Sequence, residues 1–163
     1  MGRGNAWTAH RGMDVYGRKE VSMTLKVTHL NPVGLHRNPA FTHAVVVEGP
    51  ARTVYIGGQN AVAADGQIVG GGDLAAQAEQ VFKNLETLLA AAGATMQDVI
   101  KWTIYVVQGQ DIRAAFGVFQ RRWGMRPTPP AISVLIVAGL ANPAFLLEVE
   151  AIAVTGGEET HGG

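Results

Sequence analysis

Two glutamates stand two residues apart in the last apolar run of the chain, FLLEVEAIAV (145–154). Along an extended strand alternate side chains share a face. Leu146, Glu148, Glu150, Ile152 and Val154 therefore form one row, and Phe145, Leu147, Val149, Ala151 and Ala153 the other. That spacing sets the two carboxylates roughly 6–7 Å apart. A carboxylate pair flanked by apolar residues suits acid–base work if one member is desolvated, and otherwise forms a solvated strip of sheet. GGQN (57–60) is a second candidate: its glycines allow a ligand close to backbone N–H groups, while Gln59 and Asn60 offer amides. The same residues also suit an ordinary turn at a strand end.

Other chemistries are poorly served. The histidines, His10, His29, His36, His43 and His161, contain no pair at the H-x-x-x-H spacing of a metal motif, so no metal site is expected. The absence of cysteine excludes disulfides, thiolate–zinc sites and thiol nucleophiles. Ser133 has no G-x-S-x-G elbow around it and is not read as a nucleophile. VGGGD (69–73) lacks the Lys-Ser/Thr of a phosphate loop and the spacing of a dinucleotide fingerprint, and no cofactor is expected.

These residues need a scaffold, and the chain has enough length for one. Its 163 residues, 47% hydrophobic and 16% charged, fit a single folded domain. Thirteen basic residues balance thirteen acidic ones, which argues against a nucleic-acid partner, since phosphate-backbone binding needs clustered Lys and Arg. No apolar run approaches the ~18 residues of a membrane span, so no membrane partner is expected. Residues 1–22 are polar, without an apolar signal core, and a cytoplasmic location is expected. Residues 1–30 read as an N-terminal extension, partly flexible, with Met23 as an alternative start; residues 156–163 read as a flexible tail.

Between these ends the pattern is β-β-α-β-α-β-β. Residues 42–49 and 52–58 are β-rich runs split by Gly49-Pro50-Ala51, which predicts a hairpin. In 73–93, Leu74, Ala78, Val81, Leu85, Leu88, Leu89 and Ala92 recur at helical period, with Asp73 as N-cap and Gly93 as stop. Gln77, Gln80, Lys83, Asn84 and Glu86 are assigned to the polar face. VIKWTIYVV (99–107) predicts a strand. Residues 111–124 predict a second helix with an Ile112, Ala115, Phe116, Phe119 and Trp123 stripe, capped by Asp111 and ended by Gly124. Strands AISVLIVA (131–138) and 145–154 follow. The expected fold is α+β: a single sheet with two helices on one face. The other face is then left to partner subunits.

The hairpin, GGQ, the Asp65-Gly66 turn, AAAGATMQDVIKWTIYV, RPTPPAIS and LLEVEAIAV together resemble the reactive intermediate deaminase family (RidA, or YjgF-type, also labelled endoribonuclease L-PSP) over about residues 31–155. The resemblance implies a chorismate-mutase-like subunit that packs as a barrel-like homotrimer, with small-molecule pockets at the subunit interfaces. It implies hydrolysis of enamine or imine intermediates such as 2-aminoacrylate to 2-keto acids and ammonia, with an arginine holding the substrate carboxylate and a last-strand glutamate activating water.

Carried over residue by residue, the glutamate falls on Glu150 and the pocket glycine on Gly58. The arginine position holds Ile132, the pocket tyrosine position holds Phe41, and a helix asparagine position holds Phe116. Thr42, His43, Gln59 and Ser133 complete the binding candidates. Ile offers no donor, so a carboxylate facing it is desolvated without compensation. Arg37, Arg126 and His43 are the candidate substitute cations. Two readings stay open: a hydrolase acting on an imine or enamine without a carboxylate anchor, using Glu150 as the water-activating residue, and a non-catalytic binder of an apolar or aromatic metabolite. RNA cleavage is disfavoured by the neutral charge and the lack of a paired histidine acid–base set.

Overall fold

The protein is described by a computed structural model covering residues 24–124 and 126–157. Most of the expected N-terminal extension (1–23) and the end of the tail (158–163) lie outside the described residues. Strands β1 (Lys26–Leu30) and β2 (Ala44–Glu48) form a two-stranded ribbon. Strands β3 (Ala51–Gln59), β4 (Val99–Val107), β5 (Ala131–Val137) and β6 (Leu147–Gly156) form a second sheet in the order β3-β6-β4-β5. Helices α1 (Leu74–Ala91) and α2 (Ile112–Trp123) pack on one face of that sheet, as expected for an α+β fold.

The expected hairpin between 42–49 and 52–58 is not formed. β2 pairs with β1 in antiparallel register (Val27↔Val47), while β3 pairs with β6 (Val54↔Ala153). Gly49 takes a positive φ of 89° between β2 and β3, so the chain changes sheets instead of doubling back. The pairing partner of β2 lies in the segment read as an extension, which offered only a short alternation to find it by.

Helix signals translate directly. Asp73 accepts hydrogen bonds from the N–H groups of Ala75 and Ala76, and Asp111 accepts one from Arg113, so each helix starts on an acidic N-cap. Gly93 and Gly124, at φ +66° and +73°, end them in a backbone region that side chains with Cβ avoid. The core forms between α1, α2 and the sheet, with Leu85, Val81, Trp102, Val118 and Ala153 all but inaccessible. Trp102 sits edge-on to both Phe82 (6.1 Å) and Trp123 (5.5 Å).

Gln77 corrects the polar-face assignment. It is fully buried, donating to the Ala144 carbonyl (2.7 Å) and accepting from the Leu146 N–H (2.8 Å). A buried amide is tolerated because both ends are satisfied, and the loop it bonds delivers the chain into β6. Leu88, conversely, is 40% exposed. β6 is laid between β3 and β4, antiparallel to both, although it is the last element in the chain. β4 and β5 are parallel, which requires a crossover, and α2 supplies it.

Candidate functional site

Alternation along the central strands sorts the chemistry onto two faces. On β6, Leu147, Val149 and Ala151 are buried toward the helices, while Glu148 and Glu150 point to the open face. The β4–β6 register sets Thr103 opposite Glu150 and Tyr105 opposite Glu148. On β5, Ile132 pairs with Trp102 on the helix side, and Ser133 with Thr103 on the open side.

Under the helices lies a cavity of about 330 Å³. Phe41 borders it from the loop before β2, Phe116 and Phe119 from α2, Phe82 from α1, and Ile104 and Ile132 from the sheet. Among the described residues, no charged side chain lines it. Phe116 stacks on Phe119 (6.4 Å, 14°), and Phe119 stacks on Trp123 (5.8 Å, 14°), so an aromatic row runs from the buried core to the half-exposed Phe116 at the cavity mouth. The structure thus brings together Phe41, Phe116 and Ile132.

It does not bring Glu150 to them within one chain. Glu150 opens on a different cavity, of about 320 Å³, bordered by Tyr55, Gly57, Lys101, Thr103 and Ile152 on the far side of the sheet. There the Tyr105 hydroxyl donates to the Glu150 carboxylate at 3.3 Å. Desolvation, followed by the Glu150 charge, pushes the tyrosine above its ordinary pKa. Lys101 Nζ donates to the Ser133 hydroxyl (2.7 Å) and to the Trp102 carbonyl (3.0 Å), and burial holds its ammonium below the usual lysine range. Ser133 is accordingly a hydrogen-bond partner of Lys101.

Glu148 occupies a tighter setting. A Cβ placed on Gly58 would come within 2.1 Å of the Glu148 carboxylate, so only glycine leaves that carboxylate its place. Asn60 donates to Glu148 at 3.2 Å and to the Leu147 carbonyl at 3.1 Å. The Asn60 carbonyl in turn accepts from Asn84 on α1 (3.0 Å), whose own oxygen accepts from Gln80 (2.8 Å). Gly58 therefore leaves room for the Glu148 side chain. Gln59 turns its amide back onto the Gly57 and Gly58 carbonyls.

The remaining candidates lie apart. Thr42 is buried, its N–H donating to the Pro130 carbonyl beside the start of β5. The His43 ring donates to the His36 carbonyl and meets Phe41 edge-on at 5.5 Å. Arg126 stacks 3.7 Å over Trp123 and donates to the Met96 carbonyl. None of Arg37, His43 and Arg126 lines the apolar cavity. Among the described residues no cluster of three or more metal-ligating side chains occurs, and no helix is long and apolar enough to cross a membrane.

Lys101, Thr103 and Tyr105 are the open-face residues that sequence reasoning missed. Their signal was the same two-residue alternation that paired the glutamates, but it takes the β4–β6 register to set them beside Glu150.

The family model described as Endoribonuclease L-PSP matches residues 36–155. The chain belongs to this family, the RidA/YjgF type. A rat relative named 2-iminobutanoate/2-iminopropanoate deaminase is 34% identical over 124 residues, covering 76% of this chain and 85% of that protein. Among solved structures, the Rid-family protein YyfB of Yersinia pestis is 37% identical with a TM-score of 0.68, covering 78% of this chain and 97% of that one. RidA from an Antarctic Psychrobacter is 29% identical with a TM-score of 0.56, covering 72% of this chain and 95% of that one. Membership of the RidA type and the helices-on-sheet fold agree with the reading of the sequence.

Proposed function

We propose that this RidA-type chain is an imine or enamine deaminase-type hydrolase whose substrates lack a carboxylate anchor. The observation that carries the reading is the apolar cavity with Ile132 in its wall and, among the described residues, no charged side chain around it. A carboxylate seated there loses its water and gains no donor, whereas a neutral imine with an aromatic or aliphatic body gains contact area. The deaminase names of the relatives support the reaction class.

Glu150 is the water-activating residue. It takes a proton from water as the oxygen bonds to the imine carbon, and the C=N π electrons move to nitrogen. That proton passes to the nitrogen to give a carbinolamine; Glu150 then carries the hydroxyl proton to the nitrogen as the C–N bond breaks, and a carbonyl and ammonia leave. Such a base contributes about 10²–10⁴-fold, enough for substrates that already hydrolyse readily. Cavity and carboxylate lie on opposite faces of one chain's sheet. The reaction site therefore forms between copies, the carboxylate face of one subunit closing the apolar cavity of the next in a homotrimer.

The test is ammonia release from two imines made in situ: a neutral aryl ketimine and 2-aminoacrylate. The wild type should accelerate the first and not the second, Glu150→Gln should lose about 10²–10⁴-fold on the first, and Ile132→Arg should shift preference toward the second. No acceleration of the neutral ketimine, or full activity in Glu150→Gln, overturns the reading. A monomer in solution overturns the shared site. A second reading, a non-catalytic binder of an apolar or aromatic metabolite, is favoured by one observation: among the described residues no acid or base lines the apolar cavity.

A further inference from the structure

The apolar cavity lies between two walls that do not close on each other. Helix α2 contributes Ile112, Ala115, Phe116 and Phe119 to it, and only Val118 and Trp123 of that helix are buried. The facing wall is the helix-side row of the sheet, with Ile104 on β4 and its β5 partner Val134. An amphipathic helix ordinarily packs its apolar stripe onto such a row. Here Ile112 and Phe116 each stay 47% exposed, and Val134 of the facing wall 55%. The cavity therefore has an open mouth. Its closed end is walled by Ala78 and Phe82 of α1 with Leu147 and Val149 of β6, all of them buried.

Size and lining narrow what fits. An engineered apolar cavity of about 150 Å³ holds one benzene. This one, at about 330 Å³, has room for a second ring. Phe41, Phe82, Phe116 and Phe119 all border it, and ring-on-ring contact, offset or edge-on, adds to plain burial. We infer that the cavity takes a neutral two-ring aromatic group, ring end first, and that Ala78 and Ala115 set the size it admits. The assignment rests on the cavity receiving the substrate body, as in the proposed function, and gives that substrate a class: an imine carried on a fused bicyclic aryl group. A C=N nitrogen in the closed end would lose its water without gaining a donor. The reacting carbon therefore stays at the mouth beside Phe41 and Phe116, within reach of water and of a base on the next subunit. Ala78 on α1 and Ala115 on α2 keep the space for the second ring open, because a longer side chain at either position grows into the cavity.

Equilibrium dialysis of the full chain against 2-acetylnaphthalene, the ketone such an imine would release, tests this without turnover. The comparison ligands are acetophenone, with one ring; 1-adamantyl methyl ketone, bulky but not flat; and 2-naphthoate, which carries a charge. The two-ring ketone should bind about tenfold or more tightly than each of the three. Ala78→Leu should weaken it about tenfold while changing acetophenone less than about threefold, so that the advantage of the second ring is lost. Ala115→Leu makes the same test from the other wall. Each leucine enters open space and not a packed core, and the circular dichroism spectrum checks that the variants fold. No binding of 2-acetylnaphthalene up to about 1 mM overturns the inference. So does equal binding of any comparison ligand, or an unchanged two-ring advantage in the folded variants. Ammonia release separates this from the reaction itself. Turnover of a one-ring ketimine without a two-ring preference keeps the hydrolytic reading and overturns this inference; the preference without turnover keeps the pocket and overturns the hydrolytic reading.

Discussion

The two faces of the four-stranded sheet differ in what their neighbours supply. Toward the helices, Ile104, Ile132 and Val149 meet aromatic side chains of α1 and α2, and the space they leave is a cavity without charge. On the open face, one residue along each strand, Thr103, Ser133 and Glu150 form a polar row with Lys101 and Tyr105. A single residue step thus separates an apolar cavity from a charged one. The sheet works as a partition: substitutions on one side act through packing, and those on the other act through charge and hydrogen bonds.

Adjacent residues of β4 give the strongest test of that partition. Trp102→Ala removes an inaccessible side chain wedged between Phe82 and Trp123, and it should cost about 3–5 kcal/mol in denaturant unfolding. Thr103→Ala, one step along, should change stability by less than about 0.5 kcal/mol. Similar costs for the two would break the comparison.

Gln77→Leu probes a polar group on the packing side. It leaves the Leu146 N–H and the Ala144 carbonyl without partners, and a loss of about 1–3 kcal/mol is expected. Hydrogen exchange at Leu146 should accelerate, because that amide anchors the start of β6.

Gly58→Ala acts on the open face. The atoms it meets run from Cγ to the carboxylate of the Glu148 side chain, which must rotate away and give up its Asn60 bond, so the stability cost should be about 1 kcal/mol. Its effect should depend on that carboxylate: in a double-mutant cycle with Glu148→Ala, the cost of Gly58→Ala should largely disappear. Additive costs would show that the glycine is needed for another reason.

The smallest effect belongs to the tie between the helices. Hydrogen bonds from Arg121, then Arg122, hold the Glu79 carboxyl below its ordinary range. A depressed folded-state value stabilises above the unfolded carboxyl pKa, and that contribution is lost as pH falls through the folded value. Glu79→Gln should therefore cost about 0.2–1 kcal/mol at pH 7, with salt reducing the difference and acid below the folded value abolishing it. A difference that persists in strong acid would assign the loss to packing.

The local signals in the chain were enough to place both helices with their caps, strands β3 to β6 to within a few residues, and the shared face of Glu148 and Glu150, because capping, period and alternation are properties of neighbouring residues. They were also enough for Phe41, Phe116 and Ile132 to be read as a group, through the resemblance to RidA-type proteins. The tertiary structure alone decided that β2 pairs with β1, that Gln77 is buried, and that Gly58 stands behind Glu148. It also decided that Ile132 and Glu150 lie on opposite sides of one sheet, with Lys101 beside the glutamate. The physical reason is register: alternation says which residues share a face of their own strand, but only pairing between distant strands says which faces, and therefore which charges, meet.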